Sequence, residues 1–361
     1  MARPSVRTYQ RRRITAAVGL IAAVVVVVWF SAQIGGGDGG HRSGSAGRPV
    51  VRAAAPRSHS TPALSLAGVP VGRWTAQPES PLSRGEVSAA LVGNVAYVVG
   101  GFDPSGHTTA AVQRLDLLSG RWSISAPLPV PLNHMSAVGY GGELYVVGGY
   151  SQAGDTSAGA VRSFWRFDPA IGRWASMPPA PLARAAAGAA VLGHRLYVAG
   201  GRSDTLTTIS TLAIFDFNTG TWSLGPPLHH AREHVAAVAA DGAVWLLGGR
   251  AVGQGNFTDV ERYQPGAAAW QQMAPMPIAR SSFQAVPAGG KIIVVGGEST
   301  VTFGEVDQLD PTTDRWSRLA DLPTPRHGLG LVADGPLVFA IDGGPQAGLT
   351  MSRVVERLRV G

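Results

Sequence analysis

Arginines recur at one position of a sequence repeat and are the first candidates for chemistry. They stand ten residues before a glycine-rich joint in four repeats, at Arg84, Arg184, Arg232 and Arg280. Arg326 stands one residue out of this register, and another repeat has Leu132 there. Because guanidinium groups donate bidentate hydrogen bonds to carboxylates and sulfates, the register predicts an anion-binding site. The alternative is that these arginines pair with acidic side chains of neighbouring repeats.

A second polar register follows two residues later. It contains Glu86, His134, Ala186, His234, Ser282 and His327. Three imidazoles can hold a metal ion with one open position, but side chains at this register can also point between repeats, so we assign no metal. The sequence has no nucleophile motif, phosphate loop or pair of carboxylates at recognisable spacing. We therefore predict candidate ligand-binding residues in both registers and no catalytic residue.

The elements that must position these residues repeat every 46 to 52 residues. A glycine pair closes an apolar run in each repeat, at Gly100-Gly101, Gly148-Gly149, Gly200-Gly201, Gly248-Gly249, Gly296-Gly297 and Gly343-Gly344. A tryptophan follows the first five pairs, at Trp122, Trp174, Trp222, Trp270 and Trp316. Proline and glycine at every joint exclude a long helix, so each repeat predicts four short strands. We expect the glycines and tryptophans to be structural.

This unit resembles the kelch motif, with Tyr145-Val146-Val147 before a glycine pair and then an Asp-Pro turn, as at Asp168-Pro169, before the tryptophan. The resemblance covers about residues 72 to 361, although the fourth unit has Gln264-Pro265 in place of Asp-Pro. It implies an all-β, six-bladed kelch-type β-propeller. It implies no single activity, because function lies on loops added to the fold.

The ends of the repeat region predict how the ring closes. The last unit stops at its third strand, within residues 355–361, and no tryptophan follows. The missing fourth strand is found at the other end of the domain, where Gly72-Arg73-Trp74 repeats the pattern of Gly120-Arg121-Trp122. An N-terminal strand is therefore expected to complete the sixth blade, which leaves only short, protected sheet edges.

The kelch resemblance also bears on enzyme activity. Copper oxidases with kelch propellers use a tyrosine cross-linked to cysteine, and this chain has no cysteine. We therefore predict no cofactor. Exported bacterial kelch enzymes that mutarotate sialic acid have six blades and also need none. Their proton-transfer chemistry requires groups of the kind that Glu86, Glu233, His234 and Arg232 offer.

The charge distribution separates the chain into two parts. Residues 1 to 72 contain nine arginines and one acid, whereas the remainder has 21 basic and 22 acidic residues. The propeller is therefore close to neutral, which argues against nucleic-acid binding.

The basic excess belongs to an N-terminal membrane signal. Residues 1–13 form a basic tail that is expected to stay cytoplasmic, and residues 14–34 are uncharged and long enough to span a bilayer. The alternative is a cleaved secretory signal, whose apolar core is shorter and ends in small residues. Residues 35–71 are rich in Gly, Ser, Pro and Arg and predict a flexible linker. Both alternatives place the propeller outside the cytoplasm, on a single-pass anchor or secreted.

The sequence thus predicts a membrane-tethered binding module. Its long loops, 102–111, 150–160, 202–211 and 250–258, share one face of the propeller with both polar registers. We expect a protein, peptide or glycan ligand on this face. The alternatives are a cofactor-free carbohydrate-acting enzyme of the mutarotase kind and a scaffold for a membrane complex.

Overall fold

The computed structural model describes residues 64–151 and 159–361. Every regular element in these residues is a β-strand. The described residues contain no helix that is long and apolar enough to cross a bilayer. The predicted basic tail, residues 1–13, and the predicted anchor, residues 14–34, lie outside the described residues, as does the linker up to residue 63.

The strands form six four-stranded antiparallel sheets, and one short extra hairpin. The first strand in the chain, β1 (Trp74–Ala76), belongs to the last blade. Blade 1 contains β2 (Ser88–Val92), β3 (Val95–Val99), β4 (Val112–Asp116) and β5 (Arg121–Ile124). Blade 2 contains β6 (Ser136–Tyr140), β7 (Glu143–Val147), β8 (Phe164–Asp168) and β9 (Arg173–Ser176). Blade 3 contains β10 (Gly188–Leu192), β11 (Arg195–Ala199), β12 (Leu212–Asp216) and β13 (Thr221–Gly225).

The other three blades continue this order. Blade 4 contains β14 (Ala236–Ala240), β15 (Ala243–Leu247), β18 (Val260–Tyr263) and β19 (Gln271–Gln272), and its loop carries the hairpin of β16 (Arg250–Ala251) and β17 (Gly255–Asn256). Blade 5 contains β20 (Gln284–Ala288), β21 (Lys291–Val295), β22 (Val306–Asp310) and β23 (Arg315–Arg318). Blade 6 contains β24 (Gly330–Asp334), β25 (Leu337–Ile341) and β26 (Val355–Arg359), followed outward by β1.

Apolar packing joins each blade to the next. Six large clusters of buried side chains lie at the six junctions between blades. The glycine pairs permit this close approach: a Cβ atom on Gly148 would lie 2.4 Å from the Arg184 carbonyl oxygen of the following blade. The backbone of Gly148 also has a φ of 67°, which favours glycine. The recurring glycines are therefore structural, as predicted.

The tryptophans clamp adjacent blades through their indole N–H groups. Each indole donates to a backbone carbonyl that follows the outer strand of the preceding blade. The six donor–acceptor pairs are Trp74–Ala320, Trp122–Pro78, Trp174–Ala126, Trp222–Pro178, Trp270–Pro226 and Trp316–Ala274, at 2.8 to 3.2 Å. An indole N–H that packs between blades needs a hydrogen-bond acceptor, and here a carbonyl at the equivalent position provides it in every blade.

The ring closes through the N-terminal strand, as the sequence predicts. β1 pairs with β26, with Trp74 opposite Leu358. Before β1, the carbonyls of Leu66 and Val69 accept hydrogen bonds from Arg359, at the end of β26 that points away from the long loops. The described chain therefore begins on the face opposite those loops, which we call the base face; the face with the loops is the loop face.

The sixth blade departs from the predicted glycine register. Asp342 has a φ of 56° and Gly343 a φ of 92°, values that match Gly100 at 58° and Gly101 at 89°. The structural equivalent of the glycine pair is thus Asp342-Gly343, and the predicted pair Gly343-Gly344 is one residue too late. The Asp342 carboxylate is fully buried where the sixth blade meets the first, and its Oδ2 lies 3.7 Å from Arg84 Nε.

Candidate functional site

The arginine register lies inside the blades. The residues stand four positions before the first strand of their own blade, and Arg326 occupies the same place as the rest rather than lying out of register. Each side chain is at most 1% exposed: Arg84, Arg184, Arg232, Arg280 and Arg326. Their burial leaves no guanidinium surface open to a ligand in this conformation. We therefore do not carry these five arginines into the proposed site.

The guanidinium groups bind the backbone of the second and third strands. Arg184 Nη1 donates to the carbonyls of Val198, Gly200 and Thr211, each at 3.1 Å. Burial lowers the pKa of Arg184 to about 10, so the group stays charged at neutral pH. Four of the five arginines therefore satisfy carbonyls in the glycine-pair region of their blade that would otherwise be buried without partners, whereas Arg232 donates to Glu261.

Carboxylates at one position of the third strand complete the pairing in three blades. Arg232 pairs with Glu261, Arg280 with Asp307, and Arg326 with Glu356. In blade 2 both members are apolar, because Leu132 replaces the arginine and Trp165 replaces the acid. Blades 1 and 3 keep the arginine but have Gln113 and Ala213 at the position of the acid, so the arginine recurs independently of this ion pair.

The second register forms a closed ring of backbone hydrogen bonds around the propeller axis. Its members have φ between 51° and 56°: Glu86, His134, Ala186, His234, Ser282 and Gly328. Each accepts at its carbonyl from an amide of the next blade, at 2.8 to 3.3 Å, and Val87 N–H closes the ring onto Gly328. We call these six residues the axial ring. Gly328 takes the sixth position, so His327, which the sequence placed there, lies one residue before it.

Three side chains of the axial ring meet above the channel. His134 Nε2 lies 3.2 Å from Glu86 Oε2. The His134 and His234 rings pack edge to face, with centroids 4.8 Å apart. His327 joins them from outside the ring, with Nδ1 3.0 Å from Glu86 Oε1. The structure therefore brings together four of the predicted candidates: Glu86, His134, His234 and His327.

A charged network from blades 4 and 5 borders this group. Arg250 Nε donates to Glu233 Oε1 and its Nη1 donates to Glu298 Oε1, each at 3.2 Å. Its Nη2 lies 3.3 Å from His234 Nε2. The Arg250 side chain is 37% exposed, whereas Glu233 and Glu298 are buried. Arg250 therefore presents a cation to solvent on the loop face.

The protonation states follow from these contacts. Burial alone would raise the pKa of Glu86, but His134 and His327 hold it well below its usual range. Burial lowers the pKa of His134 to about 4, against the opposing charge of Glu86. Burial alone would lower the pKa of His327, but its hydrogen bond to Glu86 raises it. At neutral pH the site therefore combines an ionised Glu86 with an uncharged His134.

The other side of the opening is aromatic and apolar. Phe102 and Tyr150 pack edge to face against His134, with ring centroids 5.9 and 5.5 Å away. Blade 3 contributes the small residues Ala185 and Ala186. Below the ring, first-strand residues line a channel cavity of about 350 Å³. The opening thus has acids and histidines on blades 4 to 6 and at Glu86 of blade 1, aromatic rings on blades 1 and 2, and Arg202 beside the small residues of blade 3. We call it the axial mouth.

The repeat geometry agrees with the comparison against known families. The model of the KLHDC2/KLHL20/DRC7 kelch-repeats domain matches residues 69–228 and 179–344. The chain belongs to the kelch-repeat family. A comparison with curated proteins found no match. The kelch propeller is similar to the solved structure of YjhT, with a TM-score of 0.67 and 17% identity, over 78% of this chain and 97% of that one. That likeness supports the fold.

Four residues of the axial mouth were absent from the predicted site. Arg250 and Glu298 each follow a glycine pair directly, as Phe102 and Tyr150 do. Each of these residues forms a β-bridge with the residue before the axial ring, for example Arg250 with Glu233. The position after the glycine pair therefore lies toward the axis in these blades. The sequence contains this pattern, but only the folded ring shows that these residues meet at the mouth.

Two groups in the mouth have the composition of metal ligands. One contains Glu86, His134 and His234, and the other contains Glu86, Glu298 and His327. In each group, one ligand atom per residue lies within 4.8 Å of the others. The three histidines His134, His234 and His327, which the sequence analysis considered but did not assign to a metal, do not form such a group among the described residues.

Proposed function

We propose that this kelch propeller is an extracytoplasmic, membrane-tethered binding module that recognises a protein, peptide or glycan at the axial mouth. The observation that supports this most strongly is the charged network around Arg250. Its guanidinium group is partly exposed at the axis and is oriented by two buried carboxylates. A preorientated cation of this kind suits a carboxylate, sulfate or carbonyl group of a ligand.

Exposed apolar residues around the mouth favour a ligand larger than an ion. The loops of four consecutive blades each carry one such side chain, between 44% and 65% exposed: Leu206, Val252, Val301 and Leu349. They belong to the loops between second and third strands, on the same face as Arg250. A polar centre surrounded by apolar contacts is the usual arrangement of a site that fixes orientation by polar groups and gains affinity from apolar burial.

The course of the chain is consistent with a tether. The first described residues pack on the base face, where Arg359 binds the carbonyls of Leu66 and Val69. A tether formed by the preceding chain would therefore join the propeller on the face that does not carry the mouth.

The test is capture of ligands by the full-length protein, from native membranes and on a glycan array that includes acidic glycans. We expect Arg250→Gln to lose the captured ligand. The matched control is Arg195→Gln, because Arg195 is an exposed arginine paired with Asp216 at 3.1 Å on the base face. Equal capture by wild type and both variants would contradict binding at the mouth.

A second candidate function rests on the contact between Glu86 and His134. The uncharged imidazole of His134 can accept a proton, and the ionised carboxylate of Glu86, 3.2 Å away, would stabilise the imidazolium that forms. Together with Arg250, this arrangement supports a cofactor-free carbohydrate-acting enzyme of the mutarotase kind.

This candidate is tested by following the exchange of sialic acid anomers by NMR. An enzyme would accelerate the exchange, and Glu86→Gln would abolish the acceleration while leaving the protein folded. A rate equal to the uncatalysed rate with wild-type protein excludes this activity on this substrate.

A further inference from the structure

The hydrogen bonds of His134 fix which of its nitrogens carries the proton. His134 Nδ1 lies 2.6 Å from Asn133 Oδ1. The amide nitrogen of Asn133 donates to Thr108 Oγ1 at 2.7 Å, which turns the amide oxygen toward the imidazole. An amide oxygen can only accept, so His134 Nδ1 must donate.

The other ring nitrogen, Nε2, faces a carboxylate. His134 Nε2 lies 3.2 Å from Glu86 Oε2, while the other oxygen, Oε1, accepts from His327 Nδ1 at 3.0 Å. A ring nitrogen and a carboxylate oxygen at this distance are held together by a positive charge between them, either a proton or a metal ion. The arrangement therefore favours a positive charge at this point of the mouth.

His234 supplies a third donor atom on the same side. Its side chain is only 8% exposed, and its Nδ1 makes no hydrogen bond among the described residues, although Glu233 Oε1 is 3.4 Å away. One ligand atom from each of Glu86, His134 and His234 lies within 4.8 Å of the others. All three residues occupy the axial ring, where inter-blade hydrogen bonds hold their backbones in place.

We infer that Glu86, His134 and His234 form a binding site for a divalent transition-metal ion such as Zn²⁺. Two imidazoles and one carboxylate match the ligands that zinc prefers, and three protein ligands leave a position open to water or a ligand. Ligand atoms at about 2.0–2.1 Å from zinc lie about 3.4 Å apart in a tetrahedron, so closing the site requires small side-chain rotations. His327 would orient the ligating carboxylate from outside, a common role for a neighbouring hydrogen-bond donor.

Arg250 makes the inference separable from the proposed binding function. Its Nη2 contacts His234 Nε2 at 3.3 Å, so an ion that uses this nitrogen competes with the guanidinium group. Arg250→Gln removes this competing charge and should tighten the binding of the ion by at least about threefold. The same variant is expected to lose an acidic macromolecular ligand, so the two proposals predict opposite effects.

The experiment is equilibrium dialysis of metal-free, full-length protein against Zn²⁺, with Co²⁺ absorption as a report of coordination by nitrogen and oxygen. We expect one ion per chain in the wild type. Glu86→Gln and His134→Asn should each weaken binding at least about 10- to 100-fold, the loss typical even for outer partners of metal ligands. Asparagine tolerates the positive φ of residue 134, and a melting curve for each variant shows whether it is folded.

Two further variants complete the test. His327→Asn should weaken binding by about 10- to 100-fold. His107→Ala should leave binding unchanged, because His107 is 70% exposed on a loop of blade 1. Absence of a bound ion in the wild type would overturn the inference. It would equally be overturned if folded Glu86→Gln and His134→Asn proteins bind Zn²⁺ as tightly as the wild type, since the ion would then lie elsewhere.

Discussion

The arginine register and the axial ring lie two residues apart in the chain but have opposite environments. Arginine recurs in five of six blades and every copy is buried, four against backbone carbonyls of the glycine-pair region and Arg232 against Glu261. The axial ring changes from blade to blade, and its side chains meet at the mouth. A residue that recurs in most blades stabilises a structural feature that the blades share. A ligand that binds on the axis instead contacts side chains that differ from blade to blade. Variation between repeats therefore marks the candidate site better than recurrence does.

The largest effect should come from removing a recurring element at the ring closure. A chain that begins after residue 80 lacks β1 and Trp74, so β26 loses its partner strand and the indole contact with Ala320. Because an open sheet edge invites association, we expect aggregation or a large fall in melting temperature. A chain that begins at Ala67 keeps β1 and should stay soluble. Equal melting of the two chains would contradict the role of β1.

The buried ion pairs should show that recurring arginines stabilise the fold. Arg326→Leu leaves the carboxylate of Glu356 buried without its cation, and we expect unfolding in urea to show a loss of about 3–5 kcal/mol. Adding Glu356→Leu imitates Leu132 and Trp165 of blade 2 and should recover most of that loss. The exposed pair Arg195–Asp216 is the control, where Arg195→Leu should lower stability far less than Arg326→Leu does. A double variant no more stable than Arg326→Leu would argue against the pairing.

Asp342 should make stability depend on pH at the junction of blades 6 and 1. Burial raises the pKa of Asp342 to about 7, against the charge of Arg84. Between about pH 4 and pH 7 the folded state then holds a proton that the unfolded state has lost, so stability falls as pH rises through this range. We expect the difference in free energy of unfolding between wild type and Asp342→Asn to shift against the wild type from pH 4 to pH 7. A difference that stays constant with pH would show that Asp342 is ionised throughout.

The sequence predicted the fold because its signals are local and repeated. Glycine pairs, tryptophans and the motif at Gly72-Arg73-Trp74 each occupy the same place in every unit, so the blades and their closure follow from periodicity. The glycine pair of the sixth blade was predicted one residue too late, because Asp342 adopts the backbone conformation that glycine has in the other blades.

The site was only partly predictable, for a different physical reason. Glu86 and His134 come from different blades, and nothing in their spacing tells that their side chains meet at 3.2 Å. The burial of Arg184 depends on carbonyl groups of three residues that no sequence pattern marks as acceptors. Positions on the axis become neighbours only when the ring closes. The choice of His327 as a ring member failed because Gly328 takes that backbone position.

The most direct test of the contrast between the two registers compares the free energies of unfolding of Arg280→Gln and His234→Asn in urea. Arg280 pairs with Asp307 inside blade 5, whereas His234 lies in the axial ring. We predict a loss of about 3–5 kcal/mol for Arg280→Gln and of about 1 kcal/mol or less for His234→Asn. Equal losses, or a larger loss for His234→Asn, would contradict the assignment of the arginines to stability and of the axial ring to binding.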